Sequence, residues 1–126
     1  MSDPLRSHDD FEAVIRIYSF DEGGRRTPAF NGIRWDFSYA DEQPPSTLYM
    51  IWPDFFATDS TGLPIDGPLP VNVELRARMF IAADEMRQKV HRERIIAGTK
   101  FYCHEGARRV AEGVVTKITR LFALSE

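Results

Sequence analysis

Between residues 71 and 81 apolar and polar side chains alternate: Val71, Val73, Leu75, Ala77, Met79 and Ile81 against Asn72, Glu74, Arg76 and Arg78. A period of two places one set on each face of a β-strand, whereas a helix would scatter the same residues around its circumference. The segment therefore requires a sheet with one buried and one wet face. Other stretches follow the same rule. Residues 11–20 set Phe11, Ala13, Ile15 and Ile17 against Glu12 and Arg16, with Val14, Tyr18 and Phe20 making the second face partly apolar. Residues 34–39 alternate Trp35, Phe37 and Tyr39 with Arg34, Asp36 and Ser38. Residues 48–56 are nearly all apolar, and Pro53 marks them as a bulged or edge strand because proline cannot donate to a ladder.

Two further strands are expected over residues 98–104 and 108–122, the second bent at Gly113, where a missing side chain permits a bulge. One stretch reads as helical. Ala82, Met86 and Val90 recur every four residues, Glu85 can pair with Lys89 and Lys89 with Glu93, and Gly98 follows as a stop, so a short amphipathic helix is expected over residues 83–94. Its apolar stripe should pack on the sheet. Loops rich in Gly, Pro and Asp, at 21–32, 40–46 and 57–70, separate the elements. Six strands joined by links of this kind suggest a small antiparallel barrel or sandwich.

The chain has 126 residues, the size of one domain, and 43% of them are hydrophobic, enough to bury a core. No run of 18 apolar residues is present to span a bilayer as a helix. The single cysteine, Cys103, has no partner for an internal disulfide, and residues 1–10 lack the charged and apolar regions of a secretory signal, so the cytoplasm is the expected location. Net charge is −3, with 5 basic and 11 acidic groups in residues 1–62 and 11 basic and 8 acidic groups in residues 63–126. That distribution argues against a uniformly basic nucleic-acid binder, although a local basic patch remains compatible with it.

No nucleotide-binding, zinc-protease or nucleophile-elbow motif is present. Gly23-Gly24 before Arg25-Arg26 forms either a plain glycine turn, the favoured reading, or a turn whose amides meet an anion. Cys103 and His104 are neighbours on an expected strand and so face opposite ways, which prevents a nucleophile–base pair. A metal site built from His91, Cys103 and His104 has no recognised ligand spacing behind it. The expectation is no catalytic residue, no metal and no cofactor.

Two segments carry a resemblance. Phe11-Glu12-Ala13, Asp21-Glu22-Gly23-Gly24-Arg25, Thr27-Pro28, Gly32, Arg34 and Phe37 at one end, and Phe101, Glu105-Gly106, Arg108, Val110, Gly113-Val114-Val115 and Lys117 at the other, resemble the start and end of the C-terminal barrel, domain III, of bacterial elongation factor Tu. Order and approximate spacing are kept over residues 10–121. The resemblance implies a six-stranded antiparallel Greek-key barrel, here with one short inserted helix, occupying residues 10–126 as a single domain behind a tail at 1–9. It implies no GTPase chemistry and no nucleotide, because that family carries both in a preceding domain.

In that family domain III binds the T-stem backbone of aminoacyl-tRNA. The matching positions are Arg25, Glu105 and Gly106, with Arg26, Arg108 and Arg109 beside them, and the resemblance implies RNA contacts at these six. Arg26 stands at a usual histidine, Trp35-Asp36 replaces proline-glutamine, and Ala107 replaces a glycine. Asp36 would face phosphate with a carboxylate and repel it. Residues 54–70 and 82–96 are longer than the family connections. A domain that normally packs on two others must re-cover its faces, and the expected function is a non-catalytic module that binds a protein partner or itself. The alternative is a translation-related RNA-binding module for tRNA, and an enzyme using Cys103 or His104 is a distant third.

Overall fold

In the computed structural model, residues 9–45, 47–56 and 67–123 are described. Six strands form: β1 (Phe11–Ile17), β2 (Trp35–Tyr39), β3 (Tyr49–Phe55), β4 (Glu74–Ile81), β5 (Lys100–Glu105) and β6 (Arg108–Ile118). They close into an antiparallel barrel in the order β1-β4-β3-β2-β5-β6. The meander β2-β3-β4 is flanked by β1, which returns beside β4, and this is Greek-key connectivity. Closure leaves no free edge, so every strand has a neighbour on both sides.

The alternating residues divide as the period of two requires. Phe11, Ala13, Ile15, Ile17, Trp35, Phe37, Leu75, Ala77, Met79, Phe101 and Val115 point inward and are buried. Phe37 stacks on Phe101 with ring centres 4.8 Å apart, and Phe11 meets both rings edge-on. Each such ring contributes roughly 1.5–3 kcal/mol by leaving water, with edge-to-face contacts adding to it.

Four local expectations are corrected or refined. β4 begins at Glu74 rather than at 71, because Asn72 takes a left-handed φ of 59° that breaks the pleat and leaves Val71 and Val73 exposed. Pro53 lies in no bulge, and although the barrel is closed it stands at a locally one-sided place of β3, where its missing N–H leaves no ladder bond unmade. It is buried and pairs with Met79, at a place where β3 has already left β2, whose pairing covers only Tyr49 to Ile51. The bulges of β6 flank Gly113 instead of falling on it: Thr116 is the extra residue opposite Glu12/Ala13 and Val110 the extra residue opposite Cys103/His104. Gly113 pairs regularly, and a Cβ there would enter the Phe101 ring.

The helix forms, but a different face packs. It runs as α1 (Asp84–Met86), a π-helical turn (Arg87–His91) and α2 (Arg92–Arg94). Arg87, His91 and Ile95 are the buried positions, Val90 is half-buried against the core, and Ala82 and Met86 are only partly covered. The reason is electrostatic. Asp10 at the barrel end is fully buried and its carboxylate accepts from Arg87 Nε at 2.7 Å and from the Ile81 amide at 2.8 Å. A buried carboxylate needs such donors, and they turn the arginine inward. The expected tail falls mostly outside the described residues, although Asp9 is fixed by Thr119, whose hydroxyl donates to its carbonyl at 2.9 Å. The expected loop at 57–70 also lies outside them except for 67–70.

Candidate functional site

The β5–β6 hairpin turns through Gly106 and Ala107, with Gly106 at a φ of 61° that glycine adopts without strain. This turn holds Glu105 beside the loop that leaves β1. A one-turn 3-10 helix (Phe20–Glu22) opens that loop, and the Gly23 amide donates back to Phe20 at 2.9 Å while the Gly24 amide donates back to Ser19 at 2.9 Å. Both glycine amides are thereby spent in closing the turn. A Cβ on Gly24 would collide with the Tyr18 and Ser19 carbonyls, so glycine is required by close approach of backbone.

Arg25 then reaches across. Its guanidinium pairs with Glu105 Oε2, its Nε donates to the Thr27 carbonyl at 3.1 Å and its Nη2 to the Thr27 hydroxyl at 3.3 Å. The same Glu105 oxygen accepts the Trp35 indole N–H at 2.9 Å. Arg108 Nη1 donates to the Gly24 carbonyl at 2.9 Å. Arg25, Glu105, Gly106 and Arg108, four of the six residues expected from the sequence, thus converge at one end of the barrel, where their polar atoms lace loop to hairpin.

The other two part from this cluster. Arg26 is exposed and holds its guanidinium 5.1 Å from the centre of the Phe20 ring. It has no ion pair among the described residues. Arg109 lies on the outer face of β6, 3.8 Å from the Tyr102 ring centre and donating to Gln43 at 2.9 Å. Asp36 is half-buried on β2 and pairs in register with His104, whose Nε2 lies 2.7 Å from the Ser38 hydroxyl. Burial, followed by the Arg109 charge, lowers the His104 pKa, and Asp36 partly opposes the shift.

Trp35 and Thr27 belong to this arrangement and were named with the resemblance but not as contacts of Glu105 and Arg25, and Gln43, the partner of Arg109, was not singled out by sequence. The inward position of Trp35 was readable from its alternation, but its partnership with Glu105, 70 positions away, had no local signal.

A cleft of about 370 Å³ opens beside Arg26, between the end of β1 and the extended residues 68–71. A second groove, about 390 Å³, crosses the outer face of β1, β6 and β5 over Gly113, with Arg16, Lys100 and Glu112 along it. Cys103 is wholly interior and desolvation pushes its thiol pKa far up, while His104, next to it on the same strand, is also buried, against the Ser38 hydroxyl. Among the described residues no three His, Cys, Asp or Glu side chains come together to hold a metal, and no helix is long and apolar enough to cross a membrane.

No protein-family model matches the chain.

Proposed function

We propose that this chain is a non-catalytic, cytoplasmic binding module, built like the third domain of elongation factor Tu and acting on a protein partner. The observation that carries the reading is the apolar surface left in water: Phe20, Phe30, Met50, Ile96 and Phe122 each expose more than half of their area. Phe20 shares a cleft with the exposed Val71, and apolar side chains that stand together in water in this way favour a macromolecular contact. The state of the polar groups supports it. Arg25 and Arg108 are engaged within the protein, and the one thiol is sealed in the barrel with its pKa raised, which opposes a nucleophilic role.

A pull-down from native lysate, with and without nuclease and across a salt series, tests the reading. Salt-tolerant, nuclease-resistant capture of a protein, or a concentration-dependent dimer by light scattering, is expected. Capture abolished by nuclease would overturn it.

The second reading is a translation-related RNA module for tRNA. It is favoured by the convergence of Arg25, Glu105, Gly106 and Arg108 at one end of the barrel, the positions that the resemblance assigns to RNA or sets beside it.

A further inference from the structure

The cleft between the end of β1 and residues 68–71 is preformed. Its two walls are fixed to each other and to the barrel by backbone hydrogen bonds, the Leu69 amide to the Ala29 carbonyl at 2.8 Å and the Asn72 amide to the Ile17 carbonyl at 2.9 Å. Pro28, Pro68 and Pro70 line it, and their rings fix φ. Ala29 and Leu69 form a buried floor, while Phe20 and Val71 stand exposed on the rim. A ligand entering such a site pays little to order it.

The charges at this rim select the ligand. Of the two arginines in the wall, Arg25 is committed to Glu105 and Thr27, which leaves the Arg26 guanidinium, lying over Phe20, as the cation able to take an outside partner. A single uncommitted cation offers a phosphate chain little, because polyanion binding scales with the number of phosphates neutralised. A single carboxylate set against the planar guanidinium fork is matched in both charge and geometry.

We propose that this cleft takes an extended peptide segment of a partner protein, one that places a large apolar side chain on the floor and a neighbouring carboxylate on Arg26. The inference rests on the reading of the chain as a protein-binding module and adds the location and the partner's chemistry.

The test is selection of a phage-displayed library of short random linear peptides on the full chain, followed by fluorescence anisotropy with the synthetic peptides selected. The expected winners carry Asp or Glu beside Phe, Leu or Trp. Arg26→Gln and Val71→Ser, both at exposed positions, should each weaken binding about tenfold, the size of losing one charge-assisted hydrogen bond or one apolar contact, with unchanged thermal melting. No enrichment, winners lacking an acidic residue, or affinities indifferent to both substitutions would overturn the proposal, as would an oligouridine probe that binds through Arg26 where peptides do not. The two levels separate in the lysate experiment. Protein capture that survives Arg26→Gln and Val71→Ser sinks the cleft and spares the module, whereas loss of all protein capture by the unsubstituted chain sinks the module.

Discussion

The Arg87 guanidinium and the Asp10 carboxylate form an ion pair at 2.7 Å, both side chains shut away from solvent, across 77 positions of sequence. The same arginine also donates to the carbonyls of Arg120 and Ala123, so it ties together the entry to β1, the helical segment and the chain beyond β6. Asp10→Ala would leave the buried guanidinium with two carbonyls and, among the described residues, the half-exposed Asp84 as its carboxylate partner. A loss of about 3–5 kcal/mol is expected in denaturant unfolding, the cost of a buried pair robbed of one member. The double variant Asp10→Leu with Arg87→Met should recover part of that loss, because no charge then stays buried.

His91 supplies an acid limb to the stability curve. It sits among Phe37, Tyr39 and Tyr49, its Nδ1 lies 2.5 Å from the Tyr39 hydroxyl, its Nε2 has no hydrogen-bond partner among the described residues, and burial, aided by the Arg94 charge, lowers its pKa to about 4. The unfolded histidine titrates near 6.5, so between these values the unfolded chain binds the extra proton. Stability is therefore fully present above pH 6.5 and falls as pH drops toward 4, by an amount on the order of 2–3 kcal/mol. His104, also lowered, adds in the same direction. Urea unfolding at a series of pH values should show the slope, and His91→Gln should flatten it while the rest of the acid dependence persists.

The barrel was legible because inward residues alternate, and alternation is a local signal that survives without knowledge of the partner strand. What failed was local pattern read without its long-range partner. Ala82, Met86 and Val90 are the apolar stripe of the helix, yet Arg87 and His91 are buried, because Asp10 and Tyr39 wait for them at the barrel end. Val71 and Val73 extend the β4 alternation on paper, and the left-handed Asn72 between them ends it in space. In the site, the resemblance drew together Arg25, Glu105, Gly106 and Arg108, but no spacing could show that two of these arginines would be spent on Glu105, Thr27 and Gly24.

Gly113 and Phe101 are complementary: the strand residue has no side chain and the ring fills its place. Gly113→Ala should cost about 1–3 kcal/mol by overpacking, since the ring is locked against Phe11 and Phe37 and cannot withdraw. Phe101→Leu alone should also destabilise. The two together should cost less than the sum of their separate effects, and a double-mutant cycle by thermal or chemical unfolding measures the coupling. Strict additivity would show that the glycine serves the backbone and not the ring.

Weak RNA binding is the last expectation. The resemblance proposed for this chain would set Arg25, Arg26, Arg108 and Arg109 in tRNA-contacting turns, but Arg25 already holds Glu105, Arg108 holds the Gly24 carbonyl and Arg109 holds Gln43. Each would have to exchange an internal partner for a phosphate, gaining only the difference. Asp36, half-buried opposite His104, adds a carboxylate where the proposed resemblance would have an amide, and net charge is −3. Binding to tRNA weaker than about 10 μM at physiological salt follows, the range of nonspecific contact. If all four arginines did engage phosphates, log affinity should fall against log salt with a slope of about −3 to −4. A gel-shift titration distinguishes the cases: sub-micromolar, arginine-dependent binding would promote the RNA reading over the protein-binding one. With no shift, Asp36→Gln is the informative variant, since partial recovery would trace the silence to one repulsive charge, and no recovery would trace it to arginines already committed within the fold.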